Sequence, residues 1–573
     1  MKKIQYFIIA LIGFLPVSCI VDLDLQEVPK DFLSPENSLQ NQAGFEAAIA
    51  HVYLTVRTEM YASEKTIASS DLMGMDADFT AMGLGTNAYW EYFFWNTINK
   101  DNGQARKWWQ RFYKLIFQTN VIIDRAESEL VTWESEEAKN QIVAEARFVR
   151  AYAYHFLVNL FGDVPLVLHE TSEPKFDYTR APQQDVLQQC KDDLTFAIQW
   201  LKTVDRQQGG RAPRAAAYHL LSEIEICRAN YQEAIDAASA VINDPNFYLM
   251  TERFGTRKNF TFSGYDYQGP QEPWGDVFWD LFQEGNMNWS EGNHEAIWNI
   301  EMDFKILGGG NTETYGSKFG MEEFWTPDWW RAVDVDGVNN LQKDTLCGMP
   351  NGQSRVTDYA GKLIWEYKAD WDNDIRNSQY NIQRTFYWNN PVSKFYGQEI
   401  TLDNIGDPYM FGRWINPSYK KGVTTVHYGV STDPASGENH DGGGIFKDWY
   451  IMRLAETYLL RAEAYYRKGD NQSAANDINV IRKRAHCQYM VTADDVNLDL
   501  ILDERARELI MEDFRISTLT RMGKLPEYLM KYNPVVIKNG YQLPDYLNKF
   551  PIPQSEIEAN KGTKLEQNPG YDK

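Results

Sequence analysis

Basic residues are outnumbered throughout this 573-residue chain: 57 Lys and Arg stand against 80 Asp and Glu, a formal charge of −23. No block of consecutive lysines or arginines offsets the deficit. The long-range field therefore disfavours nucleic acid, other polyanions and anionic lipid head groups as main partners. Cysteine is scarce as well. Cys190, Cys227, Cys347 and Cys487 stand far apart, without CxxC or Cys/His spacing, so neither a zinc module nor a disulfide framework is indicated. They read as buried, inert thiols. Beyond the first residues there is no apolar run of about 18, so no span of a bilayer is expected. The eight histidines show no HExxH or HxH spacing, and GxSxG and Walker loops are missing. The glycine-rich stretch at Gly83 lacks the third glycine and is read as lacking a preceding strand, which argues against a dinucleotide fingerprint.

The one apolar run lies at the start. Lys2 and Lys3 precede a stretch from Ile4 to Val17, followed by the small Ser18 and then Cys19: a basic region, an apolar region and a small-residue cleavage site. The run is too short to cross a membrane, and the thiol sits where a bacterial lipoprotein is cleaved and acylated. Cys19 is thus the expected lipidation site. Residues 1–18 read as a lipoprotein signal peptide and 19–44 as a tether, acidic and broken by Pro29 and Pro35.

A helical part is expected over 45–244. From Glu145 to Phe161, Ala146, Val149, Ala153, Phe156 and Leu160 recur at helical spacing, and Gly162 with Pro165 supplies a stop. A pair of helices is read over Ala215–Cys227 and Tyr231–Ile242, where Ala234 and Ala238 permit close packing. A second pair is read near the C-terminus. There Ile451, Leu454, Tyr458, Ala462 and Tyr465 line one face, Gly469 and Asp470 turn the chain, and Ala474, Ile478 and Ile481 line the next. Such pairs look like tetratricopeptide units without a strict 34-residue period. Between them, over 245–446, glycine, proline, asparagine and aromatics crowd into an irregular, aromatic-rich insert, and twelve of the eighteen tryptophans lie from Trp274 to Trp449. Helices return over 447–573. The fold class is mostly α: a tetratricopeptide-like helical scaffold with a large loop-rich insert.

Several stretches together resemble the SusD/RagB family of outer-membrane lipoproteins. They are EARFVRAYAYHFLVNLFGDVPL (Glu145 to Leu166), APRAAAYHLL (Ala212 to Leu221), WDNDIR (Trp371 to Arg376), DWYIMRLAETYLLRAEAYYRKGD (Asp448 to Asp470), ERARELIMEDFR (Glu504 to Arg515) and FPIPQSEIEANKGTKLEQNPGY (Phe550 to Tyr571). After Arg515 the chain departs from the family's pattern, with Ile516 to Arg521 in place of an aromatic-Asp-Leu-x-Arg run. The resemblance implies a SusD-like fold with no enzymatic activity and attachment to the outer membrane through lipid, facing the exterior. It further implies a partner, a SusC-like TonB-dependent transporter, to which a captured oligo- or polysaccharide is delivered. Peptides are the alternative cargo for such an architecture, and a surface glycoside hydrolase is the reading from another class, because a pair of carboxylates need only be close in space to cleave a glycan.

A sugar ring has an apolar C–H face and a rim of hydroxyls, so it is held by stacking on Trp or Tyr with polar side chains reading the rim. The candidate ligand-binding residues are therefore exposed aromatics: Tyr89, Trp90 and Tyr92 after the Gly83 loop, Trp274, Trp279 and Trp289 among Gly, Asp and Asn, and Trp325, Trp329 and Trp330 around Pro327 and Asp328. Trp95, Trp108 and Trp109 read as core. Arg147, Arg150, Glu504, Arg507, Glu508 and Glu512, at three- and four-residue spacing, read as scaffold ion pairs. No cofactor is expected. Asp370 to Asp374 resembles the opening of a calcium loop but lacks the glycine at position six and the glutamate at position twelve.

Overall fold

A computed structural model describes residues 39–61, 73–82, 93–261, 273–307, 309–311, 321–341, 348, 352–424 and 446–572. Six long helices come first: α1 (Gln42–Val56), α2 (Gly103–Arg125), α3 (Glu136–Phe161), α4 (Gln183–Trp200), α5 (Arg214–Cys227) and α6 (Tyr231–Ile242). Three of the starts follow from side-chain caps. Asn41, Asn102 and Ser135 accept hydrogen bonds from the first free N–H groups of α1, α2 and α3. Helix α3 stops where Gly162, at φ 74, takes a backbone conformation that a side chain would resist. It packs against α2 and α4, and from Ile142 onward nearly every side chain is buried, the aromatics and small alanines filling all sides.

The second set is α7 (Leu454–Lys468), α8 (Asn471–Arg484), α9 (Leu498–Leu509) and α10 (Leu525–Tyr532). Helices α5 and α6 pack as a hairpin, as do α7 and α8, and α7 also lies against α6, so the two expected helix pairs join into one array. One detail differs. Ile451 is not in the helix but in the strand Trp449–Arg453, which pairs antiparallel with Ala296–Ile300. The helical spacing from Ile451 onward is coincidental there, because Arg453 is tied down by three carboxylates and the helix starts only after it.

Middle residues do not fold apart from the helices. Phe278, Trp298, Trp325, Trp365 and Tyr419 belong to the same hydrophobic core as Phe45, Phe156 and Leu519. A smaller second core gathers Trp329, Phe386, Trp388, Ile400, Ile405 and Trp414. Between the middle stretch and the C-terminal helices lies a buried ionic hub. Arg453 donates to Glu295, Glu508 and Glu512 at 2.8, 2.7 and 2.8 Å. Arg376 meets Asp374, Glu504 and Glu508 at 2.7, 2.8 and 3.1 Å, and Arg484 joins Glu295 and Glu508. The spaced charges of the C-terminal motif thus mostly pair across elements; Arg507 with Glu504, at 2.8 Å, is the pair that runs along one helix. Arg150 likewise leaves its helix to grip Asp193 of α4 through both Nε and Nη2.

Candidate functional site

Of the aromatic side chains singled out above, Tyr89, Trp90 and Tyr92 lie outside the described residues, as does Cys19. The described residues before them end at Met82. Strand Thr80–Met82 pairs antiparallel with Ser354–Val356, with Met82 opposite Ser354 and Ala81 opposite Arg355. A strand therefore does precede Gly83, correcting that part of the sequence reading; the third glycine is still missing.

Trp274 and Trp279 are 7% exposed each and share a small cluster with Phe260 and Tyr380, where Tyr380 meets Trp274 edge-on at 4.9 Å. Trp289 is half-buried, its Nε1 donating to the Asn246 carbonyl at 2.9 Å. Trp325 and Trp329 are packed away in the main and the second core, at 0% and 2% exposure. Trp330 is different. It sits half-buried on the edge of the second core, with the guanidinium of Arg331 4.8 Å from its ring centre.

Around Trp330 the chain assembles a polar corner from three regions. Nε of Arg331 and Nη2 of Arg413 both lie 3.4 Å from the same Asp328 oxygen. The Asp328 N–H donates to the Arg413 carbonyl at 3.1 Å. Gly352 closes over the carboxylate: its φ is +58, and a Cβ there would lie 2.6 Å from the Asp328 Cβ, so only glycine fits. Asp328 is fully buried and its carboxylate makes no hydrogen bond among the described residues. Burial drives its pKa up to about 6, and the two arginines pull it back only in part. Gly412, beside Arg413, lies against the guanidinium of Arg355, so the corner reaches the strand that holds Met82. A half-open indole edge beside guanidinium donors held by a buried carboxylate suits one ring of a carbohydrate, the indole offering apolar surface and the donors reaching hydroxyl oxygens.

Asp374, the carboxylate of the Asp370 to Asp374 stretch that is described to the side chain, accepts from Arg376 at Nε and Nη2 and so belongs to the ionic hub. Among the described residues no group of three or more His, Cys, Asp or Glu side chains is placed to hold a metal. Trp95, Trp108 and Trp109 are buried, as their helical context predicts. Cys190 and Cys487 are buried and Cys227 half-buried, all three as free thiols, and burial pushes Cys227 and Cys487 up to about 12. That is the inert state expected of them.

A concavity lies on the helical scaffold. It is a cleft of about 430 Å³ between α2 and the C-terminal segment, lined by Trp109, Tyr113, Phe117, Tyr178 and Glu556 among others. Its wall is fixed by a reciprocal pair of hydrogen bonds between Asn560 and the Tyr178 backbone, both 2.8 Å.

Comparison with known proteins decides what this architecture is. Residues 294–571 match the family described as SusD family, and residues 31–226 match one described as starch-binding associating with outer membrane. A SusD-like protein of Bacteroides ovatus is 30% identical over 454 residues, covering 74% of this chain and 67% of that protein. The chain belongs to the SusD family. SusD-like protein P2 of Formosa agariphila is 25% identical over 591 residues, covering all of both chains. The starch-binding protein SusD of Bacteroides thetaiotaomicron is 42% identical over 123 residues, 21% of each chain. Among solved structures, a laminarin-binding SusD-like protein superposes with a TM-score of 0.63 at 20% identity, covering 93% of this chain and 100% of the other. Surface glycan-binding protein A of Bacteroides fluxus superposes at 0.59 with 21% identity, covering 92% and 99%. The SusD fold is thereby established, with its mostly helical scaffold. Among the described residues no helix of this SusD-family chain is long and apolar enough to cross a membrane.

Proposed function

We propose that the protein is a non-enzymatic lipoprotein that binds oligo- or polysaccharide at the exterior of the outer membrane and passes it to a SusC-like TonB-dependent transporter. In this reading residues 1–18 are removed, Cys19 carries the lipid, and the stretch to residue 44 tethers the folded body. The observation that carries the reading is the corner at Trp330, where an indole edge stands beside Arg331 and the Asp328–Arg413 pair. Relatives named for starch, laminarin and surface glycans point to the same ligand class. In this reading Trp90, with Tyr89 and Tyr92, also contributes to glycan binding.

Electrophoresis of residues 39–572 through gels containing soluble starch, laminarin or another polysaccharide tests this directly. Retardation by at least one glycan, relieved in Trp330→Ala and in Trp90→Ala, is the expected outcome. Free mobility in every gel would contradict glycan capture. Release of reducing ends from the retained glycan would contradict a purely binding role.

A further inference from the structure

We propose that Phe94 and Asn96 form a sugar-ring subsite distinct from the Trp330 corner; the proposal rests on the glycan-binding reading and adds to it a contact that no aromatic count in the sequence picks out. Phe94 is 56% exposed, between Phe93 and Trp95, which are 1% and 2% exposed. The two buried neighbours stack on each other with ring centres 4.6 Å apart and continue into Trp108 and Phe550. Phe94, between them, is in the left-handed region at φ 54 and ψ 54.

That backbone is locked from behind. The Phe93 N–H donates to a buried Asp76 oxygen at 3.0 Å, and Trp95 Nε1 donates to the Asp76 carbonyl at 2.6 Å. Asn533 holds the carbonyls of Asp76 and Ala77 in turn. The Phe94 carbonyl accepts the Thr97 N–H at 2.8 Å. Glycine or asparagine would occupy this left-handed position with little strain, whereas a bulky aromatic there is costly. Among the described residues the Phe94 ring is absent from the core cluster that contains both its neighbours. Strain retained without a packing reason points to function.

The setting selects the ligand. Asn96, Thr97 and Asn99, which follow Phe94 in the chain, are exposed. A protein-docking hot spot is instead ringed by further apolar surface that excludes water. A rigid aromatic face beside an amide matches the C–H face and hydroxyl rim of one pyranose.

The test measures affinity for soluble starch and laminarin together with the melting temperature, for wild type, Phe94→Ala, Phe94→Gly, Phe94→Trp and Asn96→Ala. Phe94→Ala and Phe94→Gly are expected to weaken the bound glycan about tenfold, Phe94→Trp to preserve affinity, and Asn96→Ala to weaken it less. Phe94→Gly is expected to raise the melting temperature, which a residue kept for folding would not do. Unchanged affinity in Phe94→Gly, with wild-type binding intact, overturns the subsite alone, and so does a lowered melting temperature. Unchanged glycan affinity with lost retention of the transporter would make Phe94 a docking residue instead. Absence of binding by wild type to either glycan, or to any other, overturns the underlying reading as well.

Discussion

Trp330 and Trp325 differ by five positions and by everything that decides their roles. Trp325 is sealed in the main core, whereas Trp330 keeps an edge in solvent beside Arg331. Trp330→Ala should therefore weaken glycan binding by about 1–3 kcal/mol while leaving the melt nearly unchanged. Trp325→Ala should show the reverse pattern, costing about 3–5 kcal/mol of stability. Calorimetric titration and thermal melts of the two variants separate these outcomes; equal loss of binding in both would show that Trp330 acts through the fold. At this scale the sequence was informative about residue type and poor about exposure. Crowding of tryptophan in the middle stretch marked where aromatics lie, but a buried ring and an accessible one have the same letter and similar neighbours. Phe94 was missed for the same reason: its presentation depends on a left-handed backbone and on Asp76, eighteen positions earlier.

Among elements, the helix pairs were legible because small residues and turn chemistry recur at helical spacing around Arg228 to Asn230 and around Gly469. The strand Trp449–Arg453 was not, since its pairing partner lies at Ala296–Ile300 and no local pattern announces so distant a contact. The ionic hub was visible only as charges three and four residues apart. Its members come from five separate regions, at Glu295, Asp374 to Arg376, Arg453, Arg484 and Glu504 to Glu512. Removing one carboxylate strands several buried guanidinium groups, so Glu508→Ala should cost about 3–5 kcal/mol in a denaturant melt. Its pH dependence follows from Glu504. Burial pushes that carboxyl up, but Arg376, Arg482 and Arg507 more than reverse it and hold it at about 2. The unfolded chain, with glutamate near about 4.3, therefore binds the proton more readily. This contribution is present above that value and is lost as pH falls toward 2. Glu145 runs the other way. Burial raises it to about 7 despite Arg211, so the folded state holds the extra proton and stability declines as pH rises from about 4 to 7. Glu145→Gln should flatten that decline in melts recorded across the range.

For the molecule as a whole, family and fold class were each readable in ordered motifs spread along the chain, because such motifs are scaffold and tolerate little rearrangement. Cargo was not readable, since it depends on side chains that separate segments bring together. The proposed anchor predicts that Cys19→Ala shifts the protein from the outer-membrane fraction to the soluble fraction in cell fractionation; persistence in the membrane would show that another segment holds it there. The most direct measurement is calorimetric titration of residues 39–572 with a panel of polysaccharides and, in parallel, a panel of peptides. Saturable heat with at least one glycan, reduced by Trp330→Ala, is the predicted result. Saturable binding of peptides with no response to any glycan would contradict glycan capture as the protein's function.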